Sequence, residues 1–128
     1  MADKKRILSI SYDESLLNTR QWMLEALGHE VASALGYTTA LELCREQSFD
    51  FVIIGHSIPQ ADKKAIVREI RQHCNAPVLA LNKHGERSLP EAEYNMDFSH
   101  PEQLLDFVKG VLNQMTPQSP RPTTQAVQ

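Results

Sequence analysis

Short apolar runs alternate along this chain with longer segments in which apolar residues recur at helical spacing. The runs that read as strands cover residues 7–10, 29–34, 51–54 and 77–81, with a weaker one at 96–98. Strands separated by amphipathic helices are typical of a parallel sheet with crossover helices on its faces. Residues 51–54 are continuously apolar, which predicts a central strand covered on both sides.

The first helix is predicted from about Ser15 to Leu27, where apolar residues recur with a helical period. Its buried stripe is expected to contain Leu16, Met23, Leu24 and Leu27, with Gly28 just beyond its end. A second helix, from about Thr38 to Arg45, is expected to bury Ala40, Leu41 and Cys44, so Cys44 is interpreted as a small core residue.

The later helices have recognisable start signals. Asp62 is predicted to cap a third helix that buries Ile66, Val67 and Ile70. The last helix is predicted to begin at Pro101, after a cap at Ser99 or His100, and to bury five apolar side chains: Leu104, Leu105, Val108, Val111 and Leu112. Between Leu81 and Asn95 only one or two helical turns fit, since Gly85 and Pro90 interrupt the pattern, so the fourth crossover helix should be shortened or missing.

The length of 128 residues fits one compact domain, predicted over residues 1–113. Residues 114–128 are rich in Pro, Thr and Gln and are predicted to be a disordered tail. The 13 basic and 16 acidic residues give a net charge of -3, which disfavours nucleic acid as a partner. The two cysteines form no CxxC motif and no apolar stretch suits a membrane span or a signal peptide, so we expect a cytoplasmic protein.

Several segments together resemble the receiver domains of bacterial two-component response regulators, over roughly residues 5–112. The matching segments are Arg6-Ile7-Leu8 with an acidic loop, Leu27-Gly28-His29-Glu30-Val31, Ala40-Leu41-Glu42-Leu43, Phe49-Asp50-Phe51-Val52-Ile53-Ile54, Ile58-Pro59-Gln60-Ala61-Asp62 and Ala76-Pro77-Val78. The resemblance implies an α/β, flavodoxin-like (βα)5 doubly wound fold with strand order 2-1-3-4-5 and a site beyond the carboxyl ends of the strands.

The residues on which the family's phosphoryl transfer depends are replaced in this chain. The resemblance places the phosphoaccepting carboxylate at Gly55 and the metal-binding acid pair at Ser11 and Tyr12, while Asp13 follows one position too late. The hydroxyl residue expected after strand four is Asn82, and the lysine expected after strand five is absent. We therefore expect a degenerate receiver that is not an enzyme, needs no cofactor, and acts without phosphorylation by binding a protein partner.

Two other readings of the loop residues stay open. Asp13, His56, His84 and His100 are expected at one edge of the sheet and could form a metal, small-ligand or pH sensor. His56 follows Gly55 closely enough to suggest a substitute phosphoacceptor, but it lacks a paired acid site.

The first helix also carries residues that do not fit its stripe. Trp22 lies nearly opposite the apolar positions, so it either contacts a partner or folds back along a neighbouring helix. Thr19 and Arg20 lie on or beside the inward stripe, where they either loosen the packing or reach the emptied site. A homodimer remains one of the open arrangements.

Overall fold

The computed structural model describes residues 4–97 and 101–115. The described residues up to Asp97 form one compact unit, and the last helix belongs to a second. The first unit contains the whole sheet and three helices.

Five parallel strands form one sheet in the order β2-β1-β3-β4-β5. The strands are β1 (Arg6–Ser11), β2 (Glu30–Leu35), β3 (Phe51–Ile54), β4 (Val78–Asn82) and β5 (Tyr94–Asp97). The predicted fold class and strand order are therefore confirmed, although β5 begins two residues before the predicted run.

The central strand β3 is fully buried, as its apolar sequence predicts. Because side chains alternate across a strand, Val52 and Ile54 face one side of the sheet and Phe51 and Ile53 face the other. Val52 and Ile54 share a core cluster with side chains from both α2 (Tyr37–Glu46) and α3 (Gln60–Arg71). All four side chains have 0% exposure, so both faces of the sheet are covered.

The first helix, α1, spans Glu14–Glu25 and buries a different stripe from the one predicted. Its buried residues are Leu17, Arg20 and Leu24, which follow helical spacing along one face. A cation in the middle of this stripe interrupts its apolar pattern, so sequence reasoning selected the neighbouring positions instead. The predicted stripe was therefore wrong except at Leu24, and the helix ends two residues earlier than expected.

The two following helices agree more closely with their sequence pattern. In α2, Ala40, Leu41 and Cys44 are buried as predicted, and burial raises the pKa of the Cys44 thiol to about 11. Helix α3 begins at Gln60 after Pro59, so Asp62 lies inside its first turn. The prediction that Asp62 caps this helix was wrong, because its carboxylate accepts a hydrogen bond from the Tyr12 hydroxyl instead.

The connection between β4 and β5 contains no helix. Gly85 has a φ of 82°, a left-handed conformation that other residues rarely adopt, and Pro90 follows it. This confirms that the fourth crossover helix of a (βα)5 fold is missing, and a loop takes its place.

The last helix, α4, spans Pro101–Met115 and begins at the predicted proline. Leu104, Val108, Val111 and Leu112 are buried, whereas Leu105 is half-buried. The helix extends beyond residue 113, so the first positions of the predicted tail are helical; residues 116–128 lie outside the described part of the chain. Over the described residues, no helix combines the length and apolar character needed to span a membrane.

Candidate functional site

The carboxyl ends of three neighbouring strands bring the predicted site positions together. Ile10 of β1 pairs with Ile54 of β3, and Ile54 pairs with Ala80 of β4. Ser11, Gly55 and Asn82 therefore lie at one edge of the sheet, where ligands bind in open α/β folds.

Gly55 follows β3 and is held against β1. Its backbone N–H donates to the Ile10 carbonyl oxygen at 2.8 Å. A Cβ at residue 55 would lie 3.1 Å from that same oxygen and 3.2 Å from Nη1 of Arg20. Because the φ of Gly55 is not positive, the need for glycine here is one of space rather than backbone conformation.

Arg20 reaches from α1 to the backbone of Gly55. Its side chain is buried, with 4% relative exposure, and desolvation lowers the pKa of its guanidinium to about 10. Its Nη1 is buried without a hydrogen-bond acceptor among the described residues. Of the two outcomes predicted for Arg20, the structure supports the one in which its side chain reaches the carboxyl edge of the sheet.

Hydroxyl groups occupy Ser11 and Tyr12, the two positions where the resemblance to receiver domains predicts acids. The Oγ atoms of Ser11 and Ser57 lie 3.0 Å apart, and Ser57 Oγ also accepts from the backbone N–H of Tyr12 at 3.1 Å. The Tyr12 hydroxyl donates to Asp62 at 2.9 Å, and burial together with that carboxylate raises its pKa to about 12. These groups bond to protein neighbours and offer no carboxylate pair.

Asp13 has a local structural role at the start of α1. Its carboxylate accepts a hydrogen bond from the backbone N–H of Leu16 at 3.0 Å, which is the usual geometry of a helix N-cap. Its backbone also bonds to Ser11 Oγ, and its carbonyl oxygen accepts from the backbone N–H of Leu17 at 3.0 Å. Asp13 is thus engaged in starting the helix.

A buried lysine contacts the residue at the end of β4. Lys63 of α3 has 0% relative exposure, and its Nζ donates to Asn82 Oδ1 and to Glu86 Oε1, each at 3.0 Å. Glu86 also accepts from the backbone N–H of Lys83 at 2.9 Å. Burial alone would raise the pKa of Glu86, but the Lys83 amide and the Lys63 ammonium together lower it.

Asn82 continues this network to the edge strand. Its Nδ2 donates to Asn95 Oδ1 at 3.0 Å, and the Asn95 amide bonds in turn to both the N–H and the C=O of Leu89. Hydrogen bonds therefore connect α3, β4 and β5 to Glu86 and Leu89 in the loop that replaces the missing helix. We call the residues Lys63, Asn82, Glu86 and Asn95 the edge network.

Sequence reasoning missed Lys63, although a signal for it was present. Lys63 precedes Ile66, Val67 and Ile70 at helical spacing, so it lies on the same face as these three core residues. A lysine on an apolar face predicts a buried cation with a polar partner. Its partners could not be identified from spacing alone, because they lie 19 and 23 residues away in the chain.

The loop histidines do not assemble as a metal site would require. His56 is half-buried and His84 is exposed, while His100 falls outside the described residues. In the described part of the chain, no group of three or more His, Cys, Asp or Glu side chains could hold a metal ion. This arrangement does not favour a sensor built on Asp13 and these histidines.

His56 lies in a positively charged environment. Burial lowers its pKa, and the nearby charges of Arg20, Lys63 and Lys83 lower it further, against the opposing effect of Asp13.

Trp22 is 77% exposed on α1, which confirms that it points away from the core.

Replacing Lys63 by methionine should destabilise the fold strongly. The change keeps the length of the side chain but leaves Glu86 and Asn82 without their buried donor, at a cost of about 2–4 kcal/mol in the free energy of unfolding. Urea denaturation measures this cost. The neighbouring Lys64 is partly exposed, and its Nζ lies 3.9 Å from a Glu91 carboxylate oxygen, which is a long surface ion pair. Lys64→Met should therefore have little effect on stability. Equal losses in the two variants would contradict the role given to Lys63.

Replacing His56 by glutamine should reduce the loss of stability in acid. Because the folded state lowers the pKa of His56, the unfolded chain takes up its proton at a higher pH, and stability is lost as the pH falls below about 6.5. Thermal unfolding between neutral and mildly acidic pH should show a shallower decline for His56→Gln than for the wild type. The control His84→Gln, at an exposed position, should keep the wild-type slope of stability against pH. The same slope in all three proteins would refute the conclusion that His56 contributes to the acid instability.

Comparison with known proteins gives one match in sequence and many in structure. The chain is 28% identical over 80 residues to the transcriptional regulatory protein AfsQ1 of Streptomyces coelicolor. That alignment covers 62% of this chain and 36% of the relative, so the chain matches only about a third of the relative's length. No protein-family model matches the chain.

The structural matches, in contrast, cover almost the whole length of the matched chains. A two-component response regulator from Clostridium difficile matches with a TM-score of 0.78 and 18% identity, over 89% of this chain and 100% of its own. A Francisella response regulator receiver domain matches with a TM-score of 0.75 and 18% identity, over 88% and 100%. A CheY-like receiver domain from Methylobacillus flagellatus matches with a TM-score of 0.73 and 16% identity, over 86% and 99%. The chain therefore has the fold of response regulator receiver domains.

Proposed function

We propose that this protein is a receiver-like signalling domain of two-component lineage that works without phosphorylation, by binding a protein partner. The receiver fold and the sequence similarity to a transcriptional regulator support the lineage. The replaced residues at the carboxyl edge of the sheet support the loss of phosphorylation.

The observation that carries this proposal is the contact between Gly55 and Arg20. Phosphoryl transfer needs an oxygen nucleophile placed in line with the donor, and residue 55 has no side chain to supply one. A Cβ at residue 55 would lie 3.2 Å from Nη1 of Arg20, so the arginine side chain would have to shift by a few tenths of an ångström to admit it. We infer that this position has lost its nucleophile and that Arg20 takes up part of the adjoining space.

The donors at this edge are also unsuited to the divalent cation that phosphoryl transfer uses. Magnesium is bound in proteins mainly by carboxylates and water, with phosphate oxygens from the substrate. Here the acid-pair positions are Ser11 and Tyr12, both bonded to protein groups, and two buried cations, Arg20 and Lys63, lie nearby. A cation would meet repulsion rather than coordination, so the proposed function includes no metal and no catalytic step.

The edge network supports a single fixed state of the loop after β4. In a switchable receiver, this region must rearrange when a phosphoryl group is added, whereas here the buried Lys63 binds Asn82 and Glu86 from within the protein. Breaking those contacts would expose a buried lysine without its partners. We infer a module whose binding surface is set by its own side chains.

The partner is proposed to be another protein, or a second copy of this chain, in the cytoplasm. Trp22 is the candidate contact residue, because a large aromatic side chain exposed on a helix is a typical anchor of protein interfaces. The missing fourth helix alters the face around β5, so the partner should differ from those of receivers that retain it.

Incubation with a small phosphodonor and Mg²⁺ should leave the intact mass of the protein unchanged. The variant Gly55→Asp should also remain unlabelled, because restoring one carboxylate does not restore the acid pair and places that carboxylate beside Arg20. A phosphorylatable receiver domain treated in parallel serves as the positive control. A stable gain of one phosphoryl group by the wild type would refute the proposed function.

A photoreactive amino acid at position 22 should cross-link to a protein partner in living cells. The same amino acid at Glu42, an exposed position on α2, is the matched control and should give no such product. Mass spectrometry of the product distinguishes a second copy of this chain from a different protein. Equal products at both positions, or none at position 22, would count against Trp22 as a contact residue.

A further inference from the structure

Arg20 is a buried cation without a counter-charge in the described part of the protein. It has 4% relative exposure, no described carboxylate lies within ion-pair distance, and its Nη1 has no hydrogen-bond acceptor there. The other buried cation, Lys63, has two acceptors, which makes the contrast informative. A buried charge without a partner is costly, and a bound counter-ion removes that cost.

The carboxylates nearest this edge are already engaged. Asp13 caps α1, Asp62 accepts from the Tyr12 hydroxyl, and Glu86 pairs with Lys63. Asp97 ends β5, which is separated from β3 by a strand, and therefore lies about 10 Å away across the sheet. None of these acids is placed to neutralise the guanidinium.

The groups around Arg20 would also favour a negative ligand. Lys63 and Lys83 lie close enough to influence the same His56 side chain as Arg20 does. Lys83 is exposed and lies directly after β4, so it is accessible to an ion that arrives from solvent. Because Glu86 already pairs with Lys63, the positive potential that concentrates anions at this edge comes mainly from Arg20 and Lys83.

We propose that the carboxyl edge of the sheet binds a small tetrahedral oxyanion of the phosphate class, held noncovalently by the guanidinium of Arg20. A guanidinium presents a planar set of N–H donors whose geometry matches phosphate oxygens. Gly55 is part of the site because its missing side chain leaves Arg20 room to reach the edge. The anion takes the place of a covalent phosphoryl group, and its binding requires no metal ion and no transfer step.

Inorganic phosphate is the probe that tests this site. At millimolar phosphate the Tm of the wild type should rise by about 5 °C relative to chloride of equal ionic strength. Sulfate, which has the same shape, should also raise it, whereas acetate should not. An equal rise in acetate, or no rise in phosphate relative to chloride, would overturn the assignment to a phosphate-class oxyanion.

Arg20→Met separates the proposed site from general effects of phosphate. The variant keeps a long side chain, and it should be at least as stable as the wild type in chloride because an unpaired buried charge is removed. Its Tm should not respond to phosphate. Arg68→Met, at a side chain that is 68% exposed, is the matched control and should respond as the wild type does. A full phosphate response in Arg20→Met would exclude Arg20 as the binding group.

A direct measurement keeps the proposal testable if Arg20→Met fails to fold. The ³¹P resonance of inorganic phosphate should broaden on addition of the wild-type protein and of Arg68→Met. An unbroadened resonance with folded wild-type protein would overturn the proposal whatever the variants do. Because no covalent product is measured, this outcome is distinguishable from failure of the proposed function.

Discussion

The close approach of Arg20 to the backbone of Gly55 is the constraint on which the rest of the site depends. A Cβ at residue 55 would lie 3.1 Å from the Ile10 carbonyl oxygen and 3.2 Å from Nη1 of Arg20, so a larger side chain there requires the arginine to shift. We infer that Gly55 and Arg20 act together, because Arg20 brings a buried positive charge from α1 to the edge of the sheet beside Gly55.

The edge network holds the end of the neighbouring strand β4 and the loop that follows it. Lys63 supplies from α3 a positive charge that is hydrogen-bonded to the end of β4, and Asn95 bonds to Leu89 in the loop that replaces a helix. Both buried cations come from helix faces that pack on the sheet, so the positively charged side chains at the edge are themselves core residues. A site built in this way is stable without a covalent modification, which is why we interpret it as fixed rather than switchable.

The sequence predicts the fold well because strand and helix periods are local properties. The continuous run 51–54 identifies the central strand, and Gly85 with Pro90 accounts for the missing helix. The buried polar residues were harder to predict, because Arg20 interrupts the stripe that would have identified it and Lys63 finds partners far along the chain. Residue types at Ser11, Gly55 and Asn82 show which groups are missing, but only tertiary contacts show what replaces them.

We infer that the edge of the sheet is held in one state by its own side chains. The most direct test follows the backbone amide resonances of Asn82, Glu86 and Asn95 while Mg²⁺ and a beryllofluoride mimic of the phosphoryl group are added. These resonances should show no shift that requires Mg²⁺, since residue 55 offers no carboxylate to the mimic and Lys63 already binds Asn82. Shifts at these three residues that saturate and require Mg²⁺ would show that the site still responds to a phosphoryl group and is not fixed.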